Sequence, residues 1–136
     1  MGDVKHVDAE VLVSLISRGV VPVMAPLTHD GEGNMLNTNA DTIAGETAKA
    51  LAEAFDVTLI YCFEKKGVLR DAEDEDSVIP VITPDLFKKY VDEGVIQGGM
   101  IPKLENSFSA VEAGVSQVVI TLASAIDGKS GTIIKK

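Results

Sequence analysis

Two short stretches constrain the fold of this chain more than any other feature: Val57–Cys62 (VTLIYC) and Val115–Leu122 (VSQVVITL). The first is a continuous apolar run with β-branched residues, the pattern of a strand buried on both faces, which parallel sheets produce. The second reads as another buried strand. Around them lie segments with helical periodicity. Asp8–Arg18 places Val11, Leu12, Leu15 and Ile16 on one face, with Asp8 as N-cap and Gly19 just past the end. Leu36–Phe55 repeats Ile43, Thr47, Ala48, Leu51 and Phe55 among alanines small enough to bring a helix close to a sheet. Thr83 caps a predicted helix over Pro84–Glu93 that Gly94 stops, and another runs over Pro102–Ala113 with Leu104, Phe108 and Val111 on one face. Val20–Pro26 (VVPVMAP) is a further predicted strand, Thr28–Leu36 a hairpin or tight loop, and GTIIKK a short terminal strand. Strands alternating with helices predict an α/β layered domain with a mainly parallel sheet.

The 136 residues, 46 % of them apolar, fit one domain spanning 1–136. With 12 basic against 21 acidic residues the net charge is −9, which disfavours a nucleic-acid surface. An anionic ligand must therefore be held locally. Cys62 is the only cysteine; it allows no internal disulfide, disfavours a cysteine metal site, and is expected to pack in its apolar run. That usage suits a reducing cytoplasm. No segment approaches the length of a membrane span, and MGDVKHVD lacks a signal-peptide core, so a cytoplasmic chain without a membrane partner is expected.

Ligands of parallel sheets bind beyond the carboxyl ends of the strands, so the loops there and the helix starts they feed are the candidate sites. Ala123–Ser130 (ASAIDGKS) comes within one residue of a phosphate-cradling loop, but only GTIIKK follows it where that motif needs a helix. A turn into a terminal strand is the better reading. Asn37-Thr38-Asn39-Ala40-Asp41 sits at a loop–helix junction, where helix capping and ligand binding both account for three polar side chains. Gly98-Gly99-Met100-Ile101-Pro102-Lys103 sets a lysine at the start of a helix, the end that disfavours a cation. A phosphate between that lysine and the exposed amides reverses the sign; a solvated lysine swinging away is the alternative. Glu64-Lys65-Lys66-Gly67-Val68-Leu69 follows the first buried strand, where a nucleotide or plain solvent can sit. The acidic run Asp71–Asp76 reads as a solvated loop, and His6 and His29 as incidental.

Taken in order, GDVKHVD, VPVMAP, LNTNADT, KKGVL, EGVIQGGMIPK and GTII resemble the carboxyl-terminal part of the N-acetylglutamate kinases, within the amino acid kinase family. The resemblance covers nearly the whole chain, and NTNAD and GGMIPK are its most specific parts. It implies a three-layer αβα fold and transfer of the γ-phosphoryl of ATP to the side-chain carboxylate of an N-acylated glutamate, a step of arginine biosynthesis. By resemblance Lys103 steadies the transferring phosphoryl group, and Asp41 orients the catalytic lysines, Lys103 among them. Asn37 contacts the acylamino acid and Asn39 supports the same junction. Glu64, Lys65, Lys66, Gly67, Val68 and Leu69 border ATP, as do Val95, Ile96, Gln97, Gly98, Gly99 and Met100. Mg²⁺ is expected to be held mainly through nucleotide phosphates, so no protein metal ligand is assigned.

The chain departs from the family in two ways. The family's amino-terminal half, with its glycine-rich phosphate loop and a second catalytic lysine, has no counterpart here, so a fragment that is inactive alone is expected. The family's Asp-Val pair before the Gly-Val-Leu turn is replaced by Phe63-Glu64-Lys65-Lys66. A non-catalytic domain of the same fold, or a kinase for another acceptor such as N-succinylglutamate, are the alternatives. A sheet cut in this way leaves an unpaired edge and an apolar flank, which predicts a homo-oligomer or mobility there.

Overall fold

The computed structural model describes residues 2–136. Local signals place most of its elements. Helix α1 (Ala9–Ser17) starts where the Asp8 carboxylate accepts the Val11 amide at 3.1 Å, and ends through Gly19 at φ +79°. Strands β1 (Leu27–His29) and β2 (Met35–Asn37) form an antiparallel hairpin. Its turn is gathered by Asp30, whose carboxylate accepts the Glu32 amide at 2.8 Å and the Asn34 side chain at 2.6 Å. Helix α2 (Ala40–Leu51) is capped by Asn39; it stops short of Phe55, which was expected on its apolar face.

Strand β3 (Thr58–Phe63) is followed by the polar excursion and by β4 (Val81–Ile82). Helix α3 (Pro84–Asp92) carries the expected Thr83 cap and proline start. Helix α4 (Met100–Glu112) begins two residues before Pro102, after Gly98 and Gly99. Strands β5 (Gln117–Leu122) and β6 (Thr132–Ile134) complete the chain. The sheet order is β3-β5-β6-β4, with β3∥β5 and β4∥β6 parallel and β5 antiparallel to β6. The mixed α/β class with a mainly parallel sheet is as the alternation predicted. Leu59, Tyr61, Val118, Ile120 and Ile134 of the sheet share a core with Ala48 of α2, Tyr90 of α3, and Leu104, Ala110 and Val111 of α4.

Three expectations are corrected. Val57–Cys62 is not buried on both faces: Leu59 and Tyr61 are buried, while Thr58 and Cys62 are exposed. The cause is position, because among the described residues β3 pairs with β5 alone and is an edge strand. Interior β5, by contrast, buries Val118 through Thr121 in succession. Cys62 therefore does not pack in its apolar run but stands exposed near the strand's carboxyl end. Val20–Pro26 forms no strand; Val21 and Val23 are 81 % and 94 % exposed. Pro22 and Pro26 lack the amide that a ladder needs. With Met24, α2 and the start of β3, these prolines line a cavity of about 370 Å³.

Candidate functional site

Two helix starts and one strand end meet at a single place. Asp41 is the second residue of α2, Lys103 the fourth of α4, and Phe63 the last of β3. The Lys103 Nζ donates to Asp41 Oδ2 at 2.9 Å across 62 positions of sequence. The same ammonium lies over the Phe63 ring, 4.1 Å from its centroid. Tyr61, two residues back on β3 and thus on the same face, stacks with Phe63 at 6.5 Å between centroids. Its hydroxyl donates to the Asp41 carbonyl at 3.2 Å. Burial, with the charges of Asp41 and Glu46, pushes the Tyr61 phenol up to about 12, so it remains a donor at neutral pH.

The electrostatics of the two helix starts differ in sign. A carboxylate in the first turn of α2 is favourable, whereas a lysine near the start of α4 costs about 0.3–1 kcal/mol. Asp41 and the Phe63 face offset that cost. The pair remains partly open to solvent, with side chains 28 % and 37 % exposed, so its own contribution to stability is at most ~1 kcal/mol. Below it, the Ser107 hydroxyl donates to the Lys103 carbonyl at 2.9 Å. Lys103 is thus neither free nor swung into solvent.

The polar junction before α2 divides its tasks. Asn39 is the cap, accepting the Thr42 amide at 3.1 Å. Buried Thr38 ties the hairpin to the helix: its amide donates to the Pro26 carbonyl at 2.9 Å and its hydroxyl lies 2.8 Å from that of Thr28. Asn37 is exposed, and its side chain has no hydrogen-bond partner among the described residues. The geometry thus pairs Asp41 with Lys103, uses Asn39 for capping, and leaves Asn37 to solvent.

The turn after β3 runs from surface to core. Glu64, Lys65 and Lys66 are exposed, and an ion pair at 2.8 Å holds Lys66 above the ordinary lysine range and Asp76 below the ordinary carboxylate range. Gly67 and Val68 are buried, and the Val68 amide donates to Thr132 Oγ1 at 2.8 Å. A Cβ on Gly67 would lie 2.7 Å from that oxygen, so only glycine lets the turn close there. After α3, the amides of Val95 and Ile96 donate to the Tyr90 carbonyl at 2.9 and 3.1 Å. Ile96 is buried; Gln97, Gly98 and Gly99 are exposed, with Met100 half-buried at the start of α4. The Arg70 guanidinium, one residue past Leu69, donates to the Tyr90 hydroxyl at 3.2 Å. That contact fastens the end of the turn to Tyr90 of α3, whose carbonyl in turn holds the start of the segment leading into α4.

Ala123–Ser130 leads into β6 with no helix after it. Two of its amides are already used, since Asp127 Oδ1 accepts those of Lys129 and Ser130; the Ser130 hydroxyl, with these amides, holds the Asp127 carboxyl at about 2. Among the described residues no group of three or more His, Cys, Asp or Glu could hold a metal ion. Tyr61 and Phe63 are the members of the site that the sequence reading missed. Aromatic residues two apart at the carboxyl end of a strand were the available signal.

The family model described as "Amino acid kinase family" matches residues 1–122. Among curated relatives, an acetylglutamate kinase of Phocaeicola vulgatus is 76 % identical over all of this chain and 53 % of its own length. One of Bacteroides thetaiotaomicron is 74 % identical, again over all of this chain and 53 % of its own. The chain spans about half the length of the curated relatives it matches. Among solved structures, smu.665 from Streptococcus mutans UA159 superposes with a TM-score of 0.76 at 38 % identity, over 98 % of this chain and 50 % of that one.

Proposed function

The chain belongs to the amino acid kinase family, and on that premise we propose that it forms the ATP-binding half of an acetylglutamate kinase. The reaction joins a side-chain carboxylate oxygen of an N-acylated glutamate to the γ-phosphorus of ATP. The bond from that phosphorus to the bridging oxygen breaks and ADP leaves. The acceptor carboxylate is already ionised at neutral pH, so the protein need not remove a proton. What it must supply is position and positive charge for the transferring group. The observation that carries this reading is the convergence of Asp41 and Lys103 at 2.9 Å, from two helix starts at the carboxyl end of β3.

In this reading Lys103 contacts the phosphoryl group and Asp41 holds the ammonium ready for it. Exposed Asn37 meets the acylamino acid, while Asn39 keeps the start of α2 in place. Glu64–Leu69 and Val95–Met100 border the nucleotide. Mg²⁺ travels with the nucleotide phosphates, where it supplies charge neutralisation; the chain's residues orient the phosphates. The setting is cytoplasmic and the assembly a homo-oligomer. Residues 1–136 alone bind nucleotide without turning over, because one lysine provides only part of the preorganised charge.

Calorimetry with Mg-ATP tests this. Saturable binding is expected, weakened about tenfold or more by Lys103→Ala, as the loss of a charge-assisted contact requires. The reading fails if the folded chain shows no saturable heat at millimolar nucleotide, or if both Lys103→Ala and Asp41→Ala bind unchanged.

A further inference from the structure

The Lys103–Asp41 pair rests on an aromatic support that the proposed chemistry does not itself require. We propose that Phe63 is a positioning residue for Lys103, its ring face aiming the ammonium without neutralising it. The inference rests on the reading of Lys103 as the phosphoryl-contacting lysine only for its effect on nucleotide; the positioning stands on geometry. Nζ sits 4.1 Å from the Phe63 centroid and 2.9 Å from Asp41 Oδ2. The ring is itself held by stacking on buried Tyr61, whose hydroxyl reaches the Asp41 carbonyl. One strand thus supports both members of the pair, the anion through its main chain and the cation through a ring.

The chemistry of the support matters. A second carboxylate beside Lys103 would also orient it, but would cancel the charge that an incoming phosphate needs. An aromatic face attracts an ammonium through its quadrupole and adds no net charge. Lys103 has three N–H donors; one is directed to Asp41 and one flank lies against the ring, which leaves a direction for an anion. The support also answers an entropic problem. A lysine stem has many rotamers, and any that the protein has not already restricted must be ordered when the ligand binds.

The test uses the whole 136-residue chain, with nuclear magnetic resonance of the lysine side chains and calorimetry with Mg-AMP-PNP. The Lys103 ε-methylene protons, identified by their loss in Lys103→Met, are expected upfield of every other lysine because of the Phe63 ring current. Phe63→Leu should return them to the ordinary range and weaken nucleotide about three- to tenfold, as loss of a cation–π contact implies. Phe63→Tyr and Phe63→Trp should keep both properties, a rescue that apolar packing alone would not produce. A Lys103 resonance among the ordinary lysines in the unaltered chain overturns the proposal. So does a folded Phe63→Leu that binds nucleotide as tightly as the parent. If Phe63→Leu does not fold, the parent resonance and the Tyr and Trp variants decide. If the parent chain binds no Mg-AMP-PNP, the nucleotide reading fails, and the resonance arm alone decides the positioning.

Discussion

Helices α1 and α4 read alike in sequence, each with an apolar face and a glycine after its end, yet they stand in opposite surroundings. Helix α4 buries Leu104, Ser107, Ala110 and Val111. Helix α1 has no buried residue, and Val11 on its apolar face is 52 % exposed. The contrast extends to the extended segments. Interior β5 is buried on both faces, whereas Val21 and Val23 lie open in a segment whose Pro22, Met24 and Pro26 share a cavity with the start of edge strand β3. Apolar periodicity thus states which face wants cover, and topology decides whether this stretch of chain supplies it.

The comparison is broken most directly by cutting one side chain in each helix. Leu104→Ala is expected to cost ~2–5 kcal/mol, because Leu104 is fully buried and its surroundings relax only partly into the space left. Val11→Ala should cost less than about 0.5 kcal/mol. Urea unfolding of both measures this, and equal losses would mean that α1 is as tightly packed as α4.

Tyr61 stands between these extremes, buried but on the edge strand. Tyr61→Phe should lose ~1 kcal/mol at neutral pH with the bond to the Asp41 carbonyl. Its pH dependence is more specific. With a folded value of about 12 against an ordinary 10.0, the phenol's contribution is complete below pH 10 and is lost as pH rises through about 12. The parent's unfolding midpoint should therefore fall across that window, and the Phe variant's should fall less. Equal slopes would place the phenol in water.

The smallest effect on stability is expected at Val21 and Val23. Replacing both by lysine should leave urea unfolding within about 0.5 kcal/mol of the parent. Light scattering should nevertheless show a lower mass, since charges on an exposed apolar segment oppose self-association. A parent chain that is already a monodisperse monomer would remove the reason for the change.

Local chemistry made much of this fold legible. Asp8 and Thr83 announced their helices, the run Thr28–Leu36 a hairpin or tight loop, and Gly94 a helix end. The exposure of Cys62 was not legible, because whether a strand is interior or edge depends on strand order. The failure of Val20–Pro26 to form a strand was legible in part: Pro22 and Pro26 lack the amides a ladder needs, while the apolar residues around them declare an extended preference but name no partner. At the candidate site, the polar junction and the lysine were visible as unusual residues. Their meeting was visible only through resemblance, since 62 positions separate Asp41 from Lys103. The aromatic support escaped because Tyr61 and Phe63 read as strand packing, and a ring's electrostatic use depends on what lies over it.

The solitary thiol offers an experimental convenience. Cys62 is the chain's only cysteine, it is exposed, and it adjoins Phe63 in sequence while facing the other side of the sheet. A maleimide fluorophore would therefore attach at one place without any engineered residue. It would sit one residue from the ring beneath Lys103 and outside the packed core. Such a label turns the end of β3 into a built-in optical reporter for whatever settles against the lysine.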